Sequence, residues 1–259
     1  MRNWYDDLCE YYGVTPEEAE KLSVRSDGRK PSFPGSKTCE PVSGKSWQEL
    51  WGQGPRDTFQ GILDFYKDIG SWASFRQCYY RRTHGYLFSY FLNNSRITLN
   101  GCKVLEYGCG AAPVTNFIIE NFPDRLDLFD FTLVEVPCEH FEFGKWRLKK
   151  KAPDVDFKFI EITDDAKVPE FKDKFDCVFI LDVFEHLPNA EDVLKNLHNC
   201  MNTGAVLHES WIDHDDDGVG DADLEVAKQQ RPTCMKFFED NFELLSYTQD
   251  GLHRTWMKN

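Results

Sequence analysis

The run Val104-Leu105-Glu106-Tyr107-Gly108-Cys109-Gly110-Ala111-Ala112-Pro113 constrains the fold more than any other stretch of the chain. Val104 and Leu105 fit a buried strand. Gly108 and Gly110 permit a tight turn or the close approach of a ligand. Pro113 suits the first position of a helix, where its missing N–H costs nothing. Strand, glycine turn and helix form the repeating unit of an α/β sheet, and the turn presents backbone N–H groups at the mouth of that sheet. A dinucleotide fingerprint asks for Gly-x-Gly-x-x-Gly, and its third glycine position is Pro113 here. Glu106, just before the glycines, repels a pyrophosphate but attracts an amine or a sulfonium.

From residue 101 onward, strand-like and helical runs alternate, which predicts a parallel sheet. Strands are expected at 103–107, 130–136, 156–162, 175–181 and 205–210, with helices at 113–121, 138–151, 190–201 and 221–230. Two last strand-like runs, 242–248 and 252–257, meet through Asp250-Gly251, a hairpin signal. Residues 1–95 read as a helical extension or lid and 96–259 as the main domain. Within the extension, Tyr5, Leu8, Cys9 and Tyr12 recur at helical spacing, and Thr15-Pro16 opens a second helix. Residues 23–45 read as an irregular connection. Residues 46–95 carry aromatic patches at helical spacing, one of them Phe59, Ile62, Leu63 and Tyr66, broken at Gly70. They either pack as core or cover a ligand site.

The formal net charge of −14 argues against a nucleic-acid footprint, which needs a basic face, and against an anionic membrane surface. Nine cysteines, irregularly spaced and without a C-x-x-C pair, fit free thiols in a reducing compartment. The first residues lack the apolar core of a signal peptide, and no apolar run is long enough to span a bilayer. A cytoplasmic location is the expectation. The sequence leaves the oligomeric state open.

The glycine turn with its preceding acid resembles motif I of class I S-adenosylmethionine-dependent methyltransferases, with Ala112 in place of the last glycine. The terminal hairpin resembles the same family. The resemblance covers residues 101–257 and implies a Rossmann-like seven-stranded sheet, mostly parallel, with a C-terminal antiparallel hairpin. It implies S-adenosylmethionine as cofactor, held by Glu106, Gly108, Cys109 and Gly110, with three further acids. Glu135 ends the second strand, where a carboxylate accepts hydrogen bonds from a ribose diol. Asp164, with Asp165 beside it, falls where the family accepts a hydrogen bond from the adenine amino group. Asp182 lies in Phe175–Pro188, which resembles motif IV, and would face the sulfonium. Asp182-x-x-Glu185-His186 also offers two carboxylates and an imidazole. A metal there would need a further ligand, His208 or His214, that the sequence does not place, so no metal is expected. The acidic run 213–218 lacks EF-hand spacing.

A sulfonium donor is already activated, so alignment supplies most of the acceleration. A base is needed only if the nucleophile arrives protonated, and the candidates are His186, His208 and His84. Tyr79, Tyr80, Arg82 and Trp211 are the candidate substrate contacts. The expected partner is a small-molecule acceptor. The alternatives are RNA or protein methylation, or a non-catalytic scaffold of the same fold. A basic stripe formed by 145–151 with Arg81 and Arg82 would favour nucleic acid.

Overall fold

The computed structural model describes residues 5–22, 50–52, 54–71, 73–75, 77–78, 85–94, 101–164, 168–211, 223–249 and 251–259. Seven strands form one sheet: β1 (Cys102–Tyr107), β2 (Phe129–Glu135), β3 (Lys158–Glu161), β4 (Phe175–Leu181), β5 (Met201–Ser210), β6 (Phe242–Tyr247) and β7 (His253–Lys258). Their order is β3-β2-β1-β4-β5-β7-β6. The first five strands run parallel, and β7 pairs antiparallel with both β5 and β6. The order reverses at β1, so the crevice of an open α/β sheet lies beyond the C-terminal ends of β1 and β4.

Alternation along each strand divides the core between the two faces. Val104 faces one hydrophobic cluster and Leu105 the other; Phe179 and Val178 on β4 divide the same way. The helices that cover the sheet are α1 (Asp6–Tyr12), α2 (Pro16–Leu22), α3 (Phe59–Ile69), α4 (Gly85–Asn94), α5 (Pro113–Asn121), α6 (Glu139–Lys151), α7 (Ala190–Cys200) and α8 (Glu225–Asn241). Helix α2 begins with a reciprocal cap: Thr15 N donates to Glu18 Oε2 (2.7 Å) and Glu18 N donates to Thr15 Oγ1 (3.2 Å), which satisfies two otherwise orphaned donors. Helix α3 stops at Gly70, whose φ of 56° lies in the region that favours glycine.

Two elements differ from the sequence reading. Strand β5 starts at Met201, four residues earlier than expected, because Gly204 sits inside the strand with a φ of 77° and does not end the preceding helix. Helix α8 runs on to Asn241 through Pro232. A proline inside a helix forfeits one backbone bond, and Phe238, buried against the sheet, carries the helix past it. Among the described residues no helix is long and apolar enough to cross a membrane.

Candidate active site

The glycine turn joins β1 to α5. Gly108 N and Cys109 N donate to Val134 O (2.8 and 3.1 Å), which pins the turn to β2. Gly108 has a φ of 66° and Gly110 one of 51°. A Cβ on Gly108 would lie 2.3 Å from Val183 Cγ2, so this turn is closed to side chains on the β4 side. Ala112, the residue that replaces the last glycine of the motif, is itself left-handed at φ 52°. An alanine pays roughly 1–2 kcal/mol for that conformation.

Glu106 turns toward α5. Its carboxylate accepts from Val114 N (3.2 Å), Thr115 N (2.9 Å) and Thr115 Oγ1 (2.6 Å). An anion is favoured at a helix N-terminus, and Ala112, at the cap position, has no side-chain acceptor. Burial pushes the Glu106 carboxyl up to about 7, against the pull of those hydrogen bonds. Its carboxyl thus sits beneath the turn and holds the start of α5.

Glu135 closes β2 on the other side of the turn. Its Oε2 accepts from Gly110 N (2.7 Å) and its Oε1 from Val136 N (2.8 Å). A carboxylate has about four acceptor positions, so room remains for two more donors. Burial raises its carboxyl to about 7, with Glu106 adding to the rise. Ile162 N donates to Glu135 O (2.9 Å), which brings the stretch from β3 to Asp164 alongside.

Asp182 follows β4 with a φ of 56°, a conformation that Asp tolerates better than most residues. Ser210 at the end of β5 fixes it: Asp182 N donates to Ser210 Oγ (2.8 Å) and Ser210 Oγ donates to Asp182 Oδ1 (2.6 Å). Asp182 stays exposed. His186 lies in the 3-10 turn Phe184–His186, its ring 4.9 Å from that of Trp51.

Two expectations are corrected. His208 is fully buried, stacked 4.8 Å from Phe179 and 5.1 Å from Phe91, with Nδ1 2.8 Å from Thr255 Oγ1. Burial lowers its pKa to about 3, so it packs the sheet and does not reach substrate as a base. Trp211 is 1% exposed, stacked on Phe184 at 5.0 Å with Arg231 over its ring. It is a core side chain, not a substrate contact. Tyr79, Tyr80, Arg82, His84, Asp165 and His214 lie outside the described residues.

Three residues make contacts here that the sequence did not indicate: Gln77 and Tyr66 from residues 1–95, and Arg147 from α6. Gln77 Oε1 accepts from Ala111 N, and its amide fills the space where a Cβ on Gly110 would stand. Buried Arg147 on α6 donates to Ala111 O and contacts Cys78 Sγ (3.1 Å). Tyr66 on α3 stacks on His140 at 4.9 Å. Burial raises its phenol well above the usual value, and the carboxylates of Glu135 and Glu185 add to the rise. Tyr66 thus packs beside the start of α6, the helix that follows β2. Helical spacing marks Tyr66 as inward-facing, but no local pattern says what it faces.

Residues 105–207 match a family model described as a methyltransferase domain. A ubiquinone biosynthesis O-methyltransferase of Pseudomonas entomophila is 25% identical over 121 residues, 46% of this chain and 48% of that protein. Its counterpart in Pseudomonas fluorescens is 24% identical over the same length and shares. The chain thus spans about half the length of these curated relatives. Among solved structures, the plantazolicin methyltransferase BpumL aligns with a TM-score of 0.50 and 13% identity, over 82% of this chain and 97% of that one. The MccD protein aligns with the same score and identity over 67% and 97%. Both likenesses are of fold. Residues 105–207 thus match a methyltransferase domain, and the strand order and the glycine turn agree with the class I S-adenosylmethionine-dependent fold.

Proposed function

We propose that the protein transfers a methyl group from S-adenosylmethionine to a small-molecule acceptor. The observation that carries this reading is Glu135: a buried carboxylate at a strand end, tied to Gly110 N at 2.7 Å, with acceptor positions left for a diol. Bound S-adenosylmethionine supplies an electrophilic methyl on a sulfonium. The chain's residues do the rest. Glu135 takes the ribose hydroxyls, Gly108, Cys109 and Gly110 let the cofactor approach the backbone, and Asp164 serves the adenine end. Glu106 shapes the turn from beneath. Asp182, fixed by Ser210, faces the reacting end, and Gln77 and Tyr66 cover the cleft. Alignment in a closed site lowers the barrier for such a displacement. His186 is the remaining described candidate for a base.

The basic run 145–151 supports a small acceptor over nucleic acid. Lys145 pairs with Glu142 and Glu161 (2.6 and 2.5 Å), and Lys151 with Asp7 and Glu120 (both 2.6 Å). Lys150 pairs with Asp7 and Glu10. Arg147 is buried. Lys149, exposed over the Phe159 ring, is the remaining cation of the run, and one cation does not form the free basic stripe that phosphate contacts require.

Calorimetric titration with S-adenosylmethionine tests the cofactor. Saturable binding is expected, and Gly110→Arg should abolish it by filling the turn against Gln77. No heat and no thermal shift at saturating cofactor would overturn the proposal. Incubation with labelled cofactor and a metabolite extract, read by mass spectrometry, should place the label on a small molecule.

A further inference from the structure

Glu185 is the most anomalous side chain in the described structure. It sits between Asp182 and His186 at the end of β4 and is fully buried, yet neither carboxylate oxygen has a hydrogen-bond partner. Leaving a buried acceptor empty costs on the order of 1–3 kcal/mol, and more for a charged group. Its surroundings increase that cost. Asp182 lies three residues earlier. Leu224 N donates to Glu185 O (2.9 Å), which places Asp223 beside it. Glu209, next to the end of β5, is also fully buried. Arg254 (2.9 Å) and Trp256 (3.1 Å) satisfy its Oε1, while its Oε2 has no partner. Burial pushes the Glu185 carboxyl well up, and the charges of Asp182, Asp223 and Glu209 push the same way.

A group like this is retained where something outside the chain completes it. A partner that donates hydrogen bonds and carries positive charge would satisfy both oxygens and restore the carboxyl to its charged form. A metal ion needs several ligands converging on one point, and among the described residues no three His, Cys, Asp or Glu side chains gather in that way. Asp182 Oδ1 is moreover engaged by Ser210. A protonated amine asks for less: separate N–H donors can reach separate carboxylates, and its charge tolerates the spread. An aromatic surface also suits a cation, and the Trp51 ring packs against His186, the residue after Glu185.

We propose that the acceptor end of this site recognises a small molecule carrying a protonated amine, with Glu185 as its main anchor and Asp182 as a second. This rests on the methyltransferase reading only for which ligand shares the cleft; the amine contact itself needs no turnover.

The test uses the full chain and calorimetry with 2-phenylethylamine, its neutral analogue 2-phenylethanol, and magnesium chloride alone. The amine should bind about tenfold tighter than the alcohol, the worth of one charge-assisted hydrogen bond. Glu185→Gln should lose at least about that factor for the amine while S-adenosylmethionine affinity stays unchanged. Its apo form should unfold at a higher temperature than the wild type at mildly alkaline pH, because a buried unpartnered charge is gone. Asp182→Asn, at an exposed position, should weaken the amine severalfold and carries the test if Glu185→Gln fails to fold. Equal binding of amine and alcohol, amine affinity indifferent to both substitutions, or binding of magnesium in place of the amine would each overturn the proposal. Amine binding without cofactor binding would leave this proposal standing and sink the methyltransferase reading; the converse would do the reverse.

Discussion

His208 and Glu106 show how one buried ionisable group differs from another. Glu106 accepts from helix N–H groups that reward its charge, while its burial opposes that charge. His208 sits between phenyl rings that reward neutrality. With its pKa lowered to about 3, His208 takes up protons more readily unfolded than folded between its usual value near 6.5 and that value. Its contribution to stability is therefore present above about 6.5 and lost as pH falls toward 3. By about pH 4.5 the loss is on the order of 2–3 kcal/mol. His140, lowered to about 4 by burial, acts in the same direction. His208→Gln, which keeps a polar partner for Thr255 and cannot titrate, should be less stable at neutral pH yet show a flatter acid limb. Chemical denaturation from neutral to acid pH reads this out. Parallel acid limbs in the two proteins would contradict the assignment.

At the scale of elements, the loop before α3 depends on one guanidinium. Arg56 is buried and donates to the carbonyls of Trp51 (2.8 Å), Leu50 and Gly61, with its plane over Phe65. Only a planar fork reaches three carbonyls at once. Gly61 is part of the same device: a Cβ there would stand 1.6 Å from Pro55 O, a backbone atom that cannot move alone. Gly61→Ala should cost about 1–3 kcal/mol or more by overpacking and displace Trp51 from His186. Denaturant unfolding with tryptophan fluorescence measures both effects. This device left no mark in the helical periodicity of 46–95. By contrast, α5 and β4 fall on the residues expected, 113–121 and 175–181, because a proline start and an unbroken apolar run are local signals. The spacing from Gly110 to Glu135 was likewise legible, as a strand-turn-helix-strand unit fixes it. Gln77, Tyr66 and Arg147 were not, since their partners lie tens of residues away and share no repeat with them.

Over the whole molecule, the first helix is held to the domain by charge as well as packing. Asp7 on α1 pairs with Lys151 on α6 at 2.6 Å, both nearly buried. Tyr11 packs on Phe143 and Trp146, and Tyr12 shares a hydrogen bond with Ser74 (2.8 Å). Burial raises the Asp7 carboxyl, but Lys151, Arg147 and Lys150 outweigh it and hold it below the usual value. The stability it contributes is present above the ordinary carboxylate value and is lost as pH falls through its lowered one. Asp7→Asn should cost about 1–2 kcal/mol, because Lys151 loses the more buried of its two carboxylates and keeps Glu120. Hydrogen exchange over residues 5–22 should accelerate with it; unchanged exchange there would show that the rings alone hold α1.

Arg147 joins these scales, with one nitrogen on the glycine turn at Ala111 O and another on Cys78 of the extension. A domain swap that grafted a foreign extension onto residues 101–259 would strand that guanidinium in the core, and a foreign turn would strand it from the other side. Residues 77 and 78, the turn and Arg147 are therefore coupled and have to change together. Attempts to change acceptor preference by recombination have to carry Gln77, Cys78, Ala111 and Arg147 across together.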